Sequence, residues 1–184
     1  MKSEDNGIKI NFGSGYKRKE GFINVDIVPN KKVKTDIVLG KDWIYKKKKL
    51  PFKDNSVSHI EAWGVLEHLP NKEHLFFVME EFYRICKHNA ILHICVPHAN
   101  SHGHYWNIDH SIQFIPDSFK CFSKGSENLI DYEQTWNCDF RIERMKFHGA
   151  PLFLQIWKII PTKTLKTFFG AFISEIEIYM KANK

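Results

Sequence analysis

The stretch Ile8-Lys-Ile-Asn-Phe-Gly-Ser-Gly15 decides the fold of this chain, because an alternating apolar pattern ends there in two glycines. Apolar residues at every second position, Ile8, Ile10 and Phe12, predict a β-strand, and the glycines predict a tight turn where it stops. A turn without side chains lets a ligand approach the backbone closely. Two interpretations are open: an ordinary glycine-rich turn, or the first loop of a nucleotide-type binding site.

The composition predicts one globular domain over residues 1–184. Apolar residues make up 43% of the chain and aromatic residues 14%, which excludes a disordered or fibrous protein. The net charge of +6 is diffuse except for the run 46–49, which we interpret as a solvated loop. No segment resembles a signal peptide or a membrane span. The four cysteines lack C-x-x-C spacing and predict reduced thiols, which favours a soluble, cytoplasmic protein.

Strand-like and helix-like patterns alternate along the rest of the chain. Six further segments have strand-like patterns: 22–27, 33–39, 57–63, 90–96, 139–147 and 173–180. Apolar spacing predicts a helix over 71–87, and Ile115-Pro-Asp-Ser118 predicts a helix start capped by Asp117 or Ser118. Such alternation predicts an α/β fold with a doubly wound, mostly parallel, Rossmann-like sheet.

A carboxylate, Asp26, closes the second predicted strand. In nucleotide-binding α/β folds, an acid at this position accepts hydrogen bonds from the ribose hydroxyls. The pattern differs from the NAD fingerprint, because Arg18 holds the third glycine position and Asp26 comes too early. A P-loop is excluded, since no Gly-Lys-Ser/Thr follows the turn.

Three segments together resemble the class I S-adenosylmethionine (SAM)-dependent methyltransferases, in particular the small type 11 methyltransferases. They are INFGSGYKRKEGFINVDI (10–27), LPFKDNSVSHIEAWGVLEHLP (50–70) and EEFYRICKHNAILHICVP (80–97). Two shorter segments, NIDHSIQFIPDSF (107–119) and SEIEIYMKA (174–182), add to the resemblance. It implies a seven-stranded sheet with an antiparallel last strand. It also implies a cofactor half over about 8–97, followed by acceptor-side loops and a strand pair over about 98–184.

The resemblance also implies which residues bind SAM. The glycine turn is expected to contact the methionine part, Asp26 the ribose and Asp36 the adenine region, while the turn after the fourth strand lines the pocket. In full, the implied set is Gly13, Ser14, Gly15, Asp26, Asp36, Trp63, Gly64, Leu66, Glu67 and His68. For Glu67 and His68, tying down the following helix is the alternative role. The chain departs from the family where His88-Asn89-Ala90 replaces the usual Pro-Gly-Gly turn.

Methyl transfer to oxygen needs proton removal, and His110 is the candidate base, with Asp109 as the group that orients it. The resemblance places His110 in the loop after the fifth strand. A hydrogen-bonding histidine without a proton-transfer role is the open alternative. His98, His102 and His104 share this loop, but no cysteine or paired carboxylate joins them at a recognised spacing, so we predict no metal.

The acceptor is expected to be a small molecule, such as a sugar or a biosynthetic intermediate. The turn 62–65 lacks the Asn/Asp-Pro-Pro-aromatic tetrad of nucleobase amino-methyltransferases, and no nucleic-acid-binding module is present. The apolar, lysine-containing segment 151–173 is either a lid or packing element, or a contact with a membrane surface or lipid-linked substrate. An alternative function is a catalytically inactive cofactor-binding protein, or one that activates a partner methyltransferase. The sequence does not predict the oligomeric state.

Overall fold

A computed structural model describes residues 7–30, 32–124, 137–149 and 173–184, which contain a seven-stranded mixed sheet. The strands are β1 (Ile8–Phe12), β2 (Ile23–Asp26), β3 (Ile37–Val38), β4 (Val57–Trp63), β5 (Cys86–Pro97), β6 (Phe140–His148) and β7 (Glu175–Ala182). Their order is β3-β2-β1-β4-β5-β7-β6. The first five strands are parallel, and β7 is antiparallel to both β5 and β6. The predicted Rossmann-like sheet with an antiparallel last strand is confirmed.

Helix α1 (Lys72–Ile85) connects β4 to β5. It begins where the Asn71 side chain accepts a hydrogen bond from the His74 N–H at 3.1 Å, and such a cap satisfies an otherwise unpaired donor. Its apolar stripe is buried, and the Phe82 ring packs edge-on against Phe12 with centroids 5.0 Å apart. Helix α2 (His102–Trp106) follows β5. None of the helices in the described ranges is long and apolar enough to cross a bilayer.

Several element bounds differ from the sequence-based prediction. The helix predicted to end at residue 87 ends at Ile85, and β5 begins immediately at Cys86 instead of residue 90. Asn89 has a φ of 61°, a left-handed conformation that asparagine tolerates better than most residues. Only Ile37–Val38 of the predicted strand 33–39 pairs in the sheet.

Two short 3-10 helices complete the described elements. The first, Leu66–His68, precedes α1 and is separated from it by residues 69–71. The second, Pro116–Phe122, starts after Ile115, whose N–H donates to the Ser118 hydroxyl at 3.0 Å. Ser118 therefore contributes to this helix start, as the sequence suggested, but from inside the helix.

The sheet has an apolar face and a polar face, because successive side chains of a strand point in opposite directions. Strand pairing aligns Phe12, Ala62, Ile94 and Ile178 on the apolar face, where Phe82 of α1 packs. The same registers align Asn11, Glu61, His93 and Tyr179 on the polar face. Within the described residues, no helix connects β1 to β2 or β2 to β3.

Candidate functional site

A cavity of about 310 Å³ lies at the carboxyl ends of β1, β2 and β4. Its walls are formed by Phe12, Gly13, Gly15, Asp26, Ile27, Leu39, Trp43, Ile44, Gly64, Val65, His68 and Leu69. The chain leaves β1 towards β2 on one side, while β4 lies on the other side of β1. Open α/β sheets bind ligands at such a switch point, so the position of the cavity is that of a ligand site.

The glycine turn after β1 brings backbone to the wall of this cavity. Gly13 and Gly15 have φ values of 69° and 48°, in the left-handed region that glycine adopts without strain. A Cβ atom at Gly13 would lie 2.3 Å from Val65 Cγ2, so a larger residue does not fit there. A Cβ atom at Gly15 would meet no atom closer than 4.0 Å, so open space adjoins this position.

Asp26, at the end of β2, faces the same space. Its Oδ2 accepts a hydrogen bond from the Gly15 N–H at 2.8 Å, and its Oδ1 accepts a longer one from Val28 at 3.3 Å. A second cavity, of about 430 Å³, shares Gly15 and Asp26 with the first. The carboxylate therefore stands between two cavities and retains acceptor capacity for a ligand.

Half of the cofactor residues implied by the resemblance line the first cavity, namely Gly13, Gly15, Asp26, Gly64 and His68. The others do not line it; they are Ser14, Asp36, Trp63, Leu66 and Glu67. Ser14 is buried and donates its N–H to the Val25 carbonyl at 3.1 Å, while Leu66 is fully buried in the core. Trp63 lies on the polar face, with its ring 5.6 Å from that of His93.

The carboxylate of Asp36 is occupied by other parts of the protein. It accepts hydrogen bonds from the Asn24 N–H at 2.9 Å and from Arg18 at 2.9 Å. These bonds, the Asn24 backbone bond first, hold the pKa of Asp36 at about 2. The structure thus shows Asp36 fastening β2 to the β1–β2 connection.

Sequence reasoning missed the apolar wall of the cavity. Leu39, Trp43 and Ile44 lie there, and Trp43 is only 2% exposed. Its indole Nε1 has no hydrogen-bond partner among the described residues, although buried donors are normally paired. The only signal in the sequence was an apolar Trp-Ile pair beside a lysine run.

A second group of residues, Glu67, His68 and His110, which we call the edge cluster, adjoins the cavity through His68. One ligand-type atom from each of the three lies within 4.8 Å of the others. The rings of His68 and His110 are 4.7 Å apart. The Glu67 carbonyl accepts hydrogen bonds from the Ser111 and Ile112 N–H groups at 2.8 and 3.1 Å, so the loop after α2 is tied to the end of β4.

The edge cluster is electrostatically unusual. Burial raises the pKa of Glu67 to about 7, and its Oε2 has no hydrogen-bond partner within the described ranges. Burial, followed by the neighbouring His110, lowers the pKa of His68. The edge cluster therefore places a carboxyl group with a raised pKa beside an imidazole with a lowered pKa, a combination typical of proton-transfer sites.

The orientation of His110 comes from a residue other than the predicted one. Its Nδ1 lies 3.0 Å from the His104 carbonyl oxygen. Asp109 is exposed, and its N–H donates to the Asn107 side chain at 3.1 Å. His104 thus takes the orienting position that the sequence assigned to Asp109.

The four histidines of the loop 98–110 do not form a common metal-binding group in the described part of the chain. The buried His98 accepts from the Asn100 N–H at 3.2 Å, and His102 is exposed. His110 belongs to the edge cluster, together with Glu67 and His68. The segment 151–173, proposed from sequence as a lid or membrane contact, lies outside the described residues apart from its last position.

The chain is similar in fold to several solved structures, which superimpose on nearly its whole length. A SAM-dependent methyltransferase from Archaeoglobus fulgidus superimposes with a TM-score of 0.60 at 19% identity, covering 96% of this chain and 86% of that one. The complex between the Haloferax volcanii Trm112 methyltransferase activator and a candidate methyltransferase gives 0.56 at 17% identity, with coverages of 100% and 85%. The [4+2]-cyclase SpnF also gives 0.56, at 12% identity, with coverages of 98% and 77%.

No family model matches the sequence, and no curated protein is significantly similar to it. At identities below 20%, these superpositions show a shared fold but not a shared activity. One of the neighbours is a cyclase, so the same fold supports more than one activity. The chain therefore has the fold of the class I SAM-dependent methyltransferases.

Proposed function

We propose that this protein transfers the methyl group of SAM to an oxygen or nitrogen atom of a small molecule, such as a sugar or biosynthetic intermediate. The observation that carries the proposal is the position of Asp26 and Gly15 between two cavities at the carboxyl edge of the sheet. The fold supports the same activity, and so does the resemblance carried by the segment 50–70, which ends in Leu66-Glu-His-Leu-Pro70.

The residues of the cavity fit SAM. The acceptor oxygens of Asp26 suit ribose hydroxyls, and the open space beside Gly15 suits a ligand that lies against backbone. The apolar wall formed by Leu39, Trp43 and Ile44 suits an adenine ring. SAM, when bound, supplies a methyl carbon made electrophilic by its sulfonium.

The protein's own contribution is alignment, exclusion of water and removal of a proton. A carbonyl oxygen only accepts hydrogen bonds, so the contact with His104 assigns the proton of neutral His110 to Nδ1. The lone pair is then on Nε2, and a neutral imidazole with a free lone pair is a general base. Glu67, with its pKa of about 7, can hold the proton next.

The acceptor side is proposed to be the space next to the edge cluster, since His110 must reach the atom that loses its proton. Exposed apolar side chains occur in the same loop, with Trp106 80% exposed and Ile108 96% exposed. They offer stacking and apolar contact to a small acceptor.

Calorimetric titration of the purified protein with SAM, S-adenosylhomocysteine and NAD tests the proposal. We expect saturable micromolar binding of the first two ligands and none of NAD. The Asp26→Ala variant should weaken SAM binding by about 1–3 kcal/mol, through loss of a charged acceptor. The matched control is Asp54→Ala. Asp54 is an exposed carboxylate that precedes the amino end of β4, whereas the cavity lies at the carboxyl end of that strand. Equal affinity of the Asp26 variant and wild type contradicts the proposed site.

A second candidate function is suggested by the structure that contains a methyltransferase activator. In this alternative, the chain binds SAM but transfers no methyl group unless a partner is present, or serves as an activating partner itself. Radiolabelled SAM and the small-molecule fraction of a cell extract distinguish the two. A labelled product formed by the chain alone supports the enzyme, whereas SAM binding without product supports the partner-dependent alternative.

A further inference from the structure

A separate group of metal-ligand residues lies on the polar face of the sheet, in the two central strands. His59 and Glu61 belong to β4, and His93 belongs to the neighbouring β5, where it pairs with Glu61. We call these three the strand cluster. His59 Nε2 lies 3.7 Å and His93 Nδ1 lies 3.6 Å from the same Glu61 oxygen, Oε1. All three ligand atoms lie within 4.8 Å of one another.

The orientation of His93 is fixed by a residue on the adjacent strand β7. Its Nε2 lies 2.9 Å from Oε1 of Glu177, and the two rings of His93 and Tyr179 stack at 4.1 Å. The Glu177 carboxylate also accepts from the Tyr179 hydroxyl and from Lys146 Nζ, the latter at 3.4 Å. A carboxylate surrounded by donors acts as the acceptor, so His93 carries a proton on Nε2 and directs Nδ1 towards Glu61.

An ion-pair network accounts for only part of this arrangement. The Lys19 ammonium group contacts Glu61 Oε1 and neutralises it. Yet His59 Nε2 is buried without a hydrogen-bond partner among the described residues. His93 Nδ1, at 3.6 Å, is too far from Glu61 for a good hydrogen bond.

We propose that His59, Glu61 and His93 bind a divalent first-row transition metal ion. Ligand atoms about 2.0–2.1 Å from a tetrahedral metal are about 3.3 Å apart. The two histidine nitrogens lie 3.7 and 3.6 Å from Glu61 Oε1, close to this spacing. Two imidazoles and one carboxylate favour zinc, cobalt, nickel or iron over magnesium or calcium, which prefer oxygen ligands. Glu177 takes the place of the carboxylate that commonly orients a metal-bound histidine.

The surroundings allow such an ion to enter. The side chains of His59, Glu61 and His93 are 23%, 14% and 9% exposed, so the strand cluster lies just below the surface, from which water can supply a further ligand. The Lys19 side chain is 42% exposed and extends from the β1–β2 connection. It can swing into solvent when an ion takes its place. Lys19 is therefore a competitor of the metal for Glu61.

Titration of the full, tag-free chain with Co²⁺, followed by visible absorption, tests the proposal, and Zn²⁺ competition extends it. We expect one Co²⁺ per chain, with the intense visible bands typical of a four-coordinate site, and displacement of Co²⁺ by Zn²⁺. His59→Gln and His93→Gln should each weaken Co²⁺ binding at least tenfold. Lys19→Gln should strengthen it, because the competing ammonium group is removed.

His68→Gln is the matched control, since His68 belongs to the edge cluster, the other metal-type group in the described residues. Its Co²⁺ affinity should equal that of wild type. Circular dichroism on every variant confirms that the sheet is retained. Absence of stoichiometric Co²⁺ binding, equal binding by the His59 and His93 variants, or loss of binding in His68→Gln alone each overturns the proposal. The metal site does not depend on methyl transfer, so a failure to bind SAM would not count against it.

Discussion

Glu67 and Glu177 are both almost completely buried, at 2% and 4% exposure, yet they are opposites electrostatically. Burial raises the pKa of Glu67 to about 7, and its Oε2 lacks a partner in the described structure. Glu177 is equally removed from water, but donors on β5, β6 and β7 hold its pKa at about 2. The protonation state of a buried carboxyl is therefore decided by the donors that reach it, and only one of these two is suited to exchanging a proton at neutral pH.

The largest expected effect is on kcat, which should depend on the edge cluster around Glu67 and not on the surroundings of Glu177. If proton transfer belongs to the edge cluster, His110→Ala should lower kcat about 10²- to 10⁴-fold, with SAM affinity nearly unchanged. His148→Ala, which removes a donor to Glu177, should leave kcat close to wild type. Initial rates of label transfer from radiolabelled SAM to the small-molecule fraction of the cell extract measure both. A wild-type rate in His110→Ala would return this histidine to a structural role.

The second effect concerns the stability that Glu177 supplies. Glu177→Gln should lower the free energy of unfolding by about 1–3 kcal/mol at pH 7, because charge-assisted hydrogen bonds are lost. The folded pKa of about 2 lies below the usual glutamate pKa of 4.5, so the unfolded state binds the proton more readily. This stabilisation is present above pH 4.5 and is lost as the pH falls towards 2.

Urea denaturation of wild type and variant at several pH values measures this effect. Glu20→Gln serves as the control, since Glu20 is exposed on the β1–β2 connection. A stability difference that stays constant between pH 7 and pH 2 would contradict the role assigned to the ionised carboxylate.

The smallest effect has the opposite sign. Glu67→Gln should raise the free energy of unfolding by about 1 kcal/mol at pH 8, because a buried charge is replaced by a neutral amide. The folded pKa of about 7 lies above the usual glutamate pKa of 4.5, so wild type loses stability as the pH rises from 4.5 towards 7. The advantage of the variant should vanish below pH 4.5, which thermal unfolding at pH 4 and pH 8 checks. A variant that is less stable than wild type at pH 8 would mean that Glu67 is paired when ionised.

The strands and the glycine turn could be predicted from the sequence because their signals are local. Alternating apolar residues, a pair of glycines and an acid at the end of a strand each occupy only a few consecutive positions. Asp26 and Gly15 meet as the parallel arrangement requires. The apolar wall with Trp43 was missed, since side chains that line a cavity follow the same pattern as side chains that fill a core.

The network around Glu177 could not be predicted for a different reason. The alternation of β7 indicates that Glu177 and Tyr179 share a face, but not which strands lie beside them. His93 is 84 positions away in sequence, and its contact with Glu177 depends on β7 inserting between β5 and β6. Long-range register of this kind has no local signal.

The position of β7 also bears on how the chain reaches its fold. Strand β7 is synthesised after all the other described strands, yet it lies inside the sheet and joins β6 to β5. Until it emerges from the ribosome, β5 presents an open, largely apolar edge, and β6 has no strand to join. Exposed edges of this kind recruit other chains. A nascent chain stalled before Glu175 is thus expected to be a substrate for chaperones, and truncation there should yield aggregates instead of a smaller working protein.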